Sequence, residues 1–161
     1  MVDYNDNPVV YQDFGGELAF ALMGAFRTFV DEAHELLAEG GFEDARPIHG
    51  FTLQAIGSGR TAAQLADRLG VTKQAVAKTI ARLEEGGYVT RTVDSADSRR
   101  KVITPTARGQ AFLAASAHAF DKVVGRWQIR AGTDEVNKLL TTLRIIVSGK
   151  PIPLDLAAWS E

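Results

Sequence analysis

Apolar residues recur at steps of three and four along the first part of the chain. From Glu17 onward, Leu18, Leu22, Ala25, Phe26, Phe29, Val30, Ala33, Leu36 and Leu37 share one face, the period of an amphipathic helix. Arg27, Asp31, Glu32 and Glu35 take the opposite face, and Gly40-Gly41 ends the run. At 3.6 residues per turn this predicts a helix of about six turns, long for a small domain. Its apolar side is wide enough to need more than one lobe to pack against.

The pattern then shortens. Pro47, suited to a first helical turn, opens a second helix over residues 47–56, and Gly57-Ser58-Gly59 ends it. Thr61 is placed to cap a third, which buries Leu65, Ala66 and Leu69. Gly70 interrupts, Val71-Thr72 restarts, and Val76, Ile80 and Leu83 line one face of a fourth helix up to Gly86-Gly87. Residues 88–93 and 99–104, rich in β-branched side chains, read as a two-stranded hairpin around a polar turn. A fifth helix starts near Thr106 and carries Phe112, Leu113, Ala117, Phe120, Val123, Val124 and Trp127. Gly132-Thr133 breaks it, and a sixth over residues 134–148 is expected to bury Val136, Leu139, Leu140, Leu143 and Ile146 or Val147. The fold class is mainly α with a small β element.

Residues 61–87 carry the most specific arrangement. Two short helices meet at a turn with glycine at its centre. Ala66 is small where they cross, and Gly70 is free to take a left-handed backbone. Val71 and Thr72 form a staple-and-cap start for the next helix. This is a helix-turn-helix, whose second helix fits a DNA major groove.

Charge sharpens that reading. The chain of 161 residues has a formal net charge of −2, but residues 1–59 carry −8 and residues 60–101 carry +4. A phosphate-binding surface needs local positive charge whatever the rest of the molecule carries. The polar side of the fourth helix presents Thr72, Lys73, Gln74, Lys78 and Arg82 with the small Ala77 and Ala81 between, and no acid from Thr72 to Leu83. Glutamine pairs bidentately with adenine, lysine reaches guanine or phosphate, and alanine admits thymine methyls. On the hairpin, Arg99, Arg100 and Lys101 are candidates for the minor groove, where narrow width favours arginine. Asp97 is placed to pair with Arg99 and support the wing. The expected site is therefore DNA-binding, on Thr72, Lys73, Gln74, Ala77, Lys78, Arg82, Arg99, Arg100 and Lys101.

In this order the elements resemble those of the multiple-antibiotic-resistance regulator (MarR) family over roughly residues 17–148. That family's wing signature, Asp-x-Arg, five residues, Leu-Thr-x-x-Gly, is matched by Asp97-Ser98-Arg99, residues 100–104, then Pro105-Thr106-Ala107-Arg108-Gly109. Pro105 stands where the family has leucine, and proline suits a strand-to-helix junction. The run Arg82-Leu83-Glu84-Glu85-Gly86-Gly87-Tyr88-Val89 is similar to the end of the family's reading helix. The resemblance implies a winged helix-turn-helix repressor that dimerises through its first and last two helices. It further implies binding to a palindromic double-stranded promoter site and release by a small-molecule effector held between the dimer helices and the reading lobe. Phe120 and Trp127 then belong to core or dimer interface, or line the effector pocket.

The expected organisation is a flexible arm (1–14), an N-terminal dimerisation helix (15–45), a DNA-binding lobe (46–105), C-terminal dimerisation helices (106–148) and an extended tail (149–161). Absence of cysteine excludes disulfides and thiolate chemistry. His34, His49 and His118 lie far apart with no paired ligand spacing, so neither metal nor cofactor is expected. There is no phosphate loop, nucleophile elbow or His-Glu metal helix, which argues against an enzyme. No apolar run reaches the length of a membrane span, so a cytoplasmic protein without a membrane partner is expected. The rival reading is a winged helix turned to protein contact, which calls for aromatic or acidic residues on the reading helix.

Overall fold

The computed structural model describes residues 13–93 and 100–148. Asp13 begins α1 (Phe14–Glu39) by accepting a hydrogen bond from the Gly16 amide at 2.6 Å. Beyond Gly40 the chain turns back through Gly41, at φ 87°, and Phe42 N–H closes the turn onto the Leu37 carbonyl. The helix therefore ends at Gly40-Gly41, where the apolar period stops. There follow α2 (Pro47–Ile56), α3 (Ala62–Leu69), α4 (Lys73–Glu85), the strands β1 (Val89–Val93) and β2 (Lys101–Pro105), α5 (Ala107–Ala131) and α6 (Thr133–Val147).

One hydrophobic core runs from the lobe into the base of the long helices. Leu53 and Ile56 from α2, Leu65 and Leu69 from α3, and Val76, Ile80 and Leu83 from α4 are all buried, together with Tyr88, Ile103 and Phe112. The hairpin is antiparallel, with Arg91 opposite Ile103 at its centre. A further bridge was not foreseen. Arg60 exchanges both backbone hydrogen bonds with Ile103, at 3.1 and 2.8 Å, while its guanidinium donates to the Ala55 and Ile56 carbonyls at the end of α2. The wing is thus stitched to the lobe along the far edge of β2.

Helices α1 and α5 pack lengthwise. Ala33 and Leu37 share the hydrophobic core with Ala119 and Val123, and Val30 is buried as well. Phe29 stacks on Phe120 (5.5 Å between centroids) and meets Trp127 edge-on at 5.1 Å, and Glu32 pairs with Arg126 and Arg130 at 3.3 and 3.7 Å.

Helix α6 departs from expectation. Val136 and Leu143 are only half-buried, Leu139, Leu140, Ile146 and Val147 are exposed, and the helix buries no residue. On α1, Leu18, Leu22 and Met23 are exposed as well. The helical period is present, but no described residue is packed over these faces deeply enough to bury them.

Candidate nucleic-acid interface

The helix-turn-helix is built from three local devices. Thr61 and Gln64 cap α3 reciprocally: Thr61 Oγ1 accepts from the Gln64 amide at 3.3 Å and Gln64 Oε1 accepts from the Thr61 amide at 2.9 Å. Gly70 takes the left-handed conformation (φ 66°, ψ 30°), letting Val71 N–H bond back to the Ala66 carbonyl. Thr72 Oγ1 then caps α4 by accepting from the Ala75 amide at 3.1 Å. These fix the angle at which α4 leaves the turn.

Helix α4 divides cleanly. Val76, Thr79, Ile80 and Leu83 are buried; Thr72, Lys73, Gln74, Ala77, Lys78, Ala81 and Arg82 are exposed. Lys73, Lys78 and Arg82 form no ion pair with a described residue, so all three charges face solvent. Thr72 carries two duties, since its oxygen also serves as the helix cap that its place before α4 predicts. Its hydroxyl hydrogen stays available to an acceptor.

Arg100 and Lys101 are exposed at the start of β2. Asp97 and Arg99 fall in residues 94–99, outside the described residues. Arg91, facing out from β1, is engaged: its Nε donates to Glu84 at 2.9 Å, tying the wing to the end of α4.

A second cluster at the wing's base was missed in sequence. Tyr88 O–H donates to Asp44 at 2.6 Å, and the Arg108 guanidinium donates to Asp44 at 3.0 Å and to the Tyr88 oxygen at 3.1 Å while lying 4.7 Å over the Tyr88 ring. The Tyr88 hydrogen bond, with Arg108 adding to it, holds the Asp44 carboxyl below its ordinary range; burial above all raises the Tyr88 phenol. Thr106 locks the same corner. It donates to the Gly87 carbonyl at 2.6 Å and accepts from the Gly109 amide at 3.1 Å, and its N–H bonds the Tyr88 carbonyl at 3.0 Å. A Cβ at Gly109 would lie 2.1 Å from the Tyr88 carbonyl oxygen, so the Thr-x-x-Gly spacing is dictated by a close backbone crossing. Pro105, the last residue of β2, sits at the strand-to-helix junction without disturbing it.

Between α1, α2 and α5 lies a cavity of about 250 Å³, lined by Val30, His34 and Leu37, by Pro47, Gly50, Phe51 and Gln54, and by Phe112, Leu113, Ser116, Ala117 and Phe120. Burial lowers the His34 pKa. On the other side of α2, His49 is buried; desolvation lowers its pKa to about 4, and its Nδ1 accepts from the Arg46 amide at 3.3 Å. Trp127 stays clear of the cavity, while Phe120 contributes to its wall. Among the described residues no three His, Cys, Asp or Glu side chains gather into a metal-binding group, and no helix is long and apolar enough to cross a membrane.

A sequence profile of the MarR family matches residues 50–100, from α2 to the start of the wing's return strand. Several solved structures share the fold. The reduced form of MarR from E. coli superposes with a TM-score of 0.69 at 20% identity, over 88% of this chain and 99% of that one. A MarR-family transcriptional regulator from Rhodococcus sp. RHA1 gives 0.65 at 22% identity, over 87% and 100%. CouR from Rhodococcus jostii RHA1, bound to p-coumaroyl-CoA, gives 0.64 at 22%, over 88% and 99%. At these identities the likeness is one of fold. No curated protein matches the chain significantly.

Proposed function

We propose that the chain is a MarR-family winged-helix transcription regulator that acts as a homodimeric repressor on a palindromic promoter site and is released by a small-molecule effector. The observation that carries the DNA reading is the exposed side of α4. Lys73, Gln74, Ala77, Lys78, Ala81 and Arg82 form a face of cations, one amide and methyl groups with no carboxylate among them. Gln74 and Lys73 stand in the first turn, where a reading helix meets base edges. Lys78 and Arg82 lie one and two turns further, suited to phosphate, and the Thr72 hydroxyl donates to the same backbone. Arg100 and Lys101, with Arg99 beside them, serve the adjacent minor groove, and Asp97 supports that wing.

The apolar faces of α1 and α6 supply the dimer interface, and two-fold symmetry then sets two α4 helices about one DNA turn apart, ~34 Å. The cavity between α1, α2 and α5 is the effector site, since it lies where the long helices meet the lobe. The test is selection of binding sites from a random duplex library at about 0.15 M salt, where loose phosphate attraction is screened. Recovery of a palindrome with half-sites one turn apart is expected. A library that enriches nothing would overturn DNA reading and turn the lobe toward protein partners.

A further inference from the structure

Helix α2 has no basic residue in its last turn, and the free carbonyls there form the negative end of the helix. The Arg60 guanidinium fills that place from outside the helix, donating to the Ala55 carbonyl and to the Ile56 carbonyl at 2.9 Å. Two glycines clear its path. A Cβ at Gly57 would lie 3.0 Å from the guanidinium, and one at Gly59 would lie 3.0 and 3.1 Å from the methyl groups of Val102 and Thr104. The backbone of Arg60 meanwhile exchanges two hydrogen bonds with Ile103. One residue therefore ties the last turn of α2 to the middle of β2.

That tie is placed where the wing leaves the core. Ile103 is buried, whereas Thr90 to Val93 on β1 and Lys101 on β2 are exposed. A two-stranded hairpin is marginal by itself. Arg100 stands three residues beyond Ile103, about 10 Å at ~3.3 Å per residue, so a tilt of about 20° at the anchor would move it by about 3 Å. A hydrogen bond to phosphate does not survive such a shift. Resting on the reading of α4 and the wing as the DNA interface, we propose that Arg60 is the positioning residue of the wing. It acts on DNA through Arg100 and Lys101, by fixing β2 to α2, and its own charge serves the α2 carbonyls instead of a phosphate.

The test is a double-mutant cycle on the full chain, read as affinity for the selected palindrome at about 0.15 M salt. Arg60→Met keeps the apolar stem and removes the guanidinium. It is expected to weaken binding about tenfold when Arg100 and Lys101 are present, and to change nothing in the Arg100→Ala, Lys101→Ala background. Equal losses in both backgrounds would overturn the proposal, because a phosphate contact or a general loss of stability acts with or without the wing cations. Arg60→Lys keeps a charge on a stem one atom shorter, and covers the case in which Arg60→Met does not fold. Its expected effect is about threefold weakening, again only with the wing cations present. Full affinity in the lysine variant would leave charge alone as the cause and remove the positioning role. A second readout needs no DNA. The Ile103 amide donates to the Arg60 carbonyl at 2.8 Å, and in whichever variant folds it is expected to exchange with deuterium at least threefold faster. An unchanged exchange rate would sever the guanidinium from the wing and overturn the proposal. A library that selects no palindrome, beside faster Ile103 exchange, would overturn the DNA reading and the role in binding with it, while the tie itself stands.

Discussion

At the scale of single residues, two positions hold the lobe in ways that are open to direct test. Gly109 lets α5 begin against the Tyr88 carbonyl, and a methyl group there has no space. Gly109→Ala is expected to destabilise the fold by about 1–3 kcal/mol, the usual range for overpacking, seen as a lower urea midpoint with an unchanged slope. His49 gives a pH dependence with a defined sign. Its folded pKa of about 4 lies below the ordinary histidine value of 6.5. Below pH 6.5 the unfolded chain therefore takes up a proton that the folded chain refuses, and stability falls as pH drops toward 4, by at most about 1.4 kcal/mol per unit. Protonation also removes the acceptor that Nδ1 offers to the Arg46 amide. His34, shifted the same way, adds to the effect, whereas Asp44 is held below the ordinary carboxylate range and acts at lower pH. Urea midpoints at pH 7 and pH 5 should differ, and His49→Gln should shrink the difference. An equal drop in the variant would remove His49 as its source.

At the scale of elements, α4 and the wing make separable contributions. Gln74→Ala is expected to relax preference at one base position by roughly 1–3 kcal/mol and leave the others intact, measured by competition among single-substituted sites. Arg100→Ala should instead weaken all duplexes alike and lower the salt-dependence slope by about one. Identical behaviour of the two variants would mean that α4 reads no base. These elements were legible because their signals are local: a cap, a left-handed glycine and a 3.6-residue period all fall within a few neighbours of Thr72 or Gly70. What escaped notice depends on distance along the chain. Asp44 meets Tyr88 across 44 residues and Arg108 across 64. Arg60 paired with Ile103, and Arg91 taken up by Glu84, likewise required the folded arrangement. Arg91 shows the limit of counting charges, since it adds to the basic tally of residues 60–101 and yet is neutralised by a partner on α4.

At the scale of the molecule, the unburied side of α6 becomes an argument. Leu139, Leu140, Ile145 and Ile146 lie exposed along one fifteen-residue helix, with Leu18, Leu22 and Met23 exposed on α1. Exposed apolar side chains in this number mark an interaction face, and a second copy of the chain supplies the same pattern in return. Association would bury these side chains and tie the two α4 helices to one symmetry axis. The double variant Leu140→Glu, Ile146→Glu puts two carboxylates where the partner's apolar surface belongs. Because both side chains are exposed in the single chain, the lobe should keep its fold and its urea midpoint. Sedimentation should then report a monomer, and affinity for the full palindrome should fall by about 10²-fold or more while affinity for an isolated half-site changes little. A variant that stays dimeric would move the interface away from α6. A monomer that still binds the palindrome at full strength would show that the two lobes act independently, and the spacing of half-sites would then carry no information about the protein.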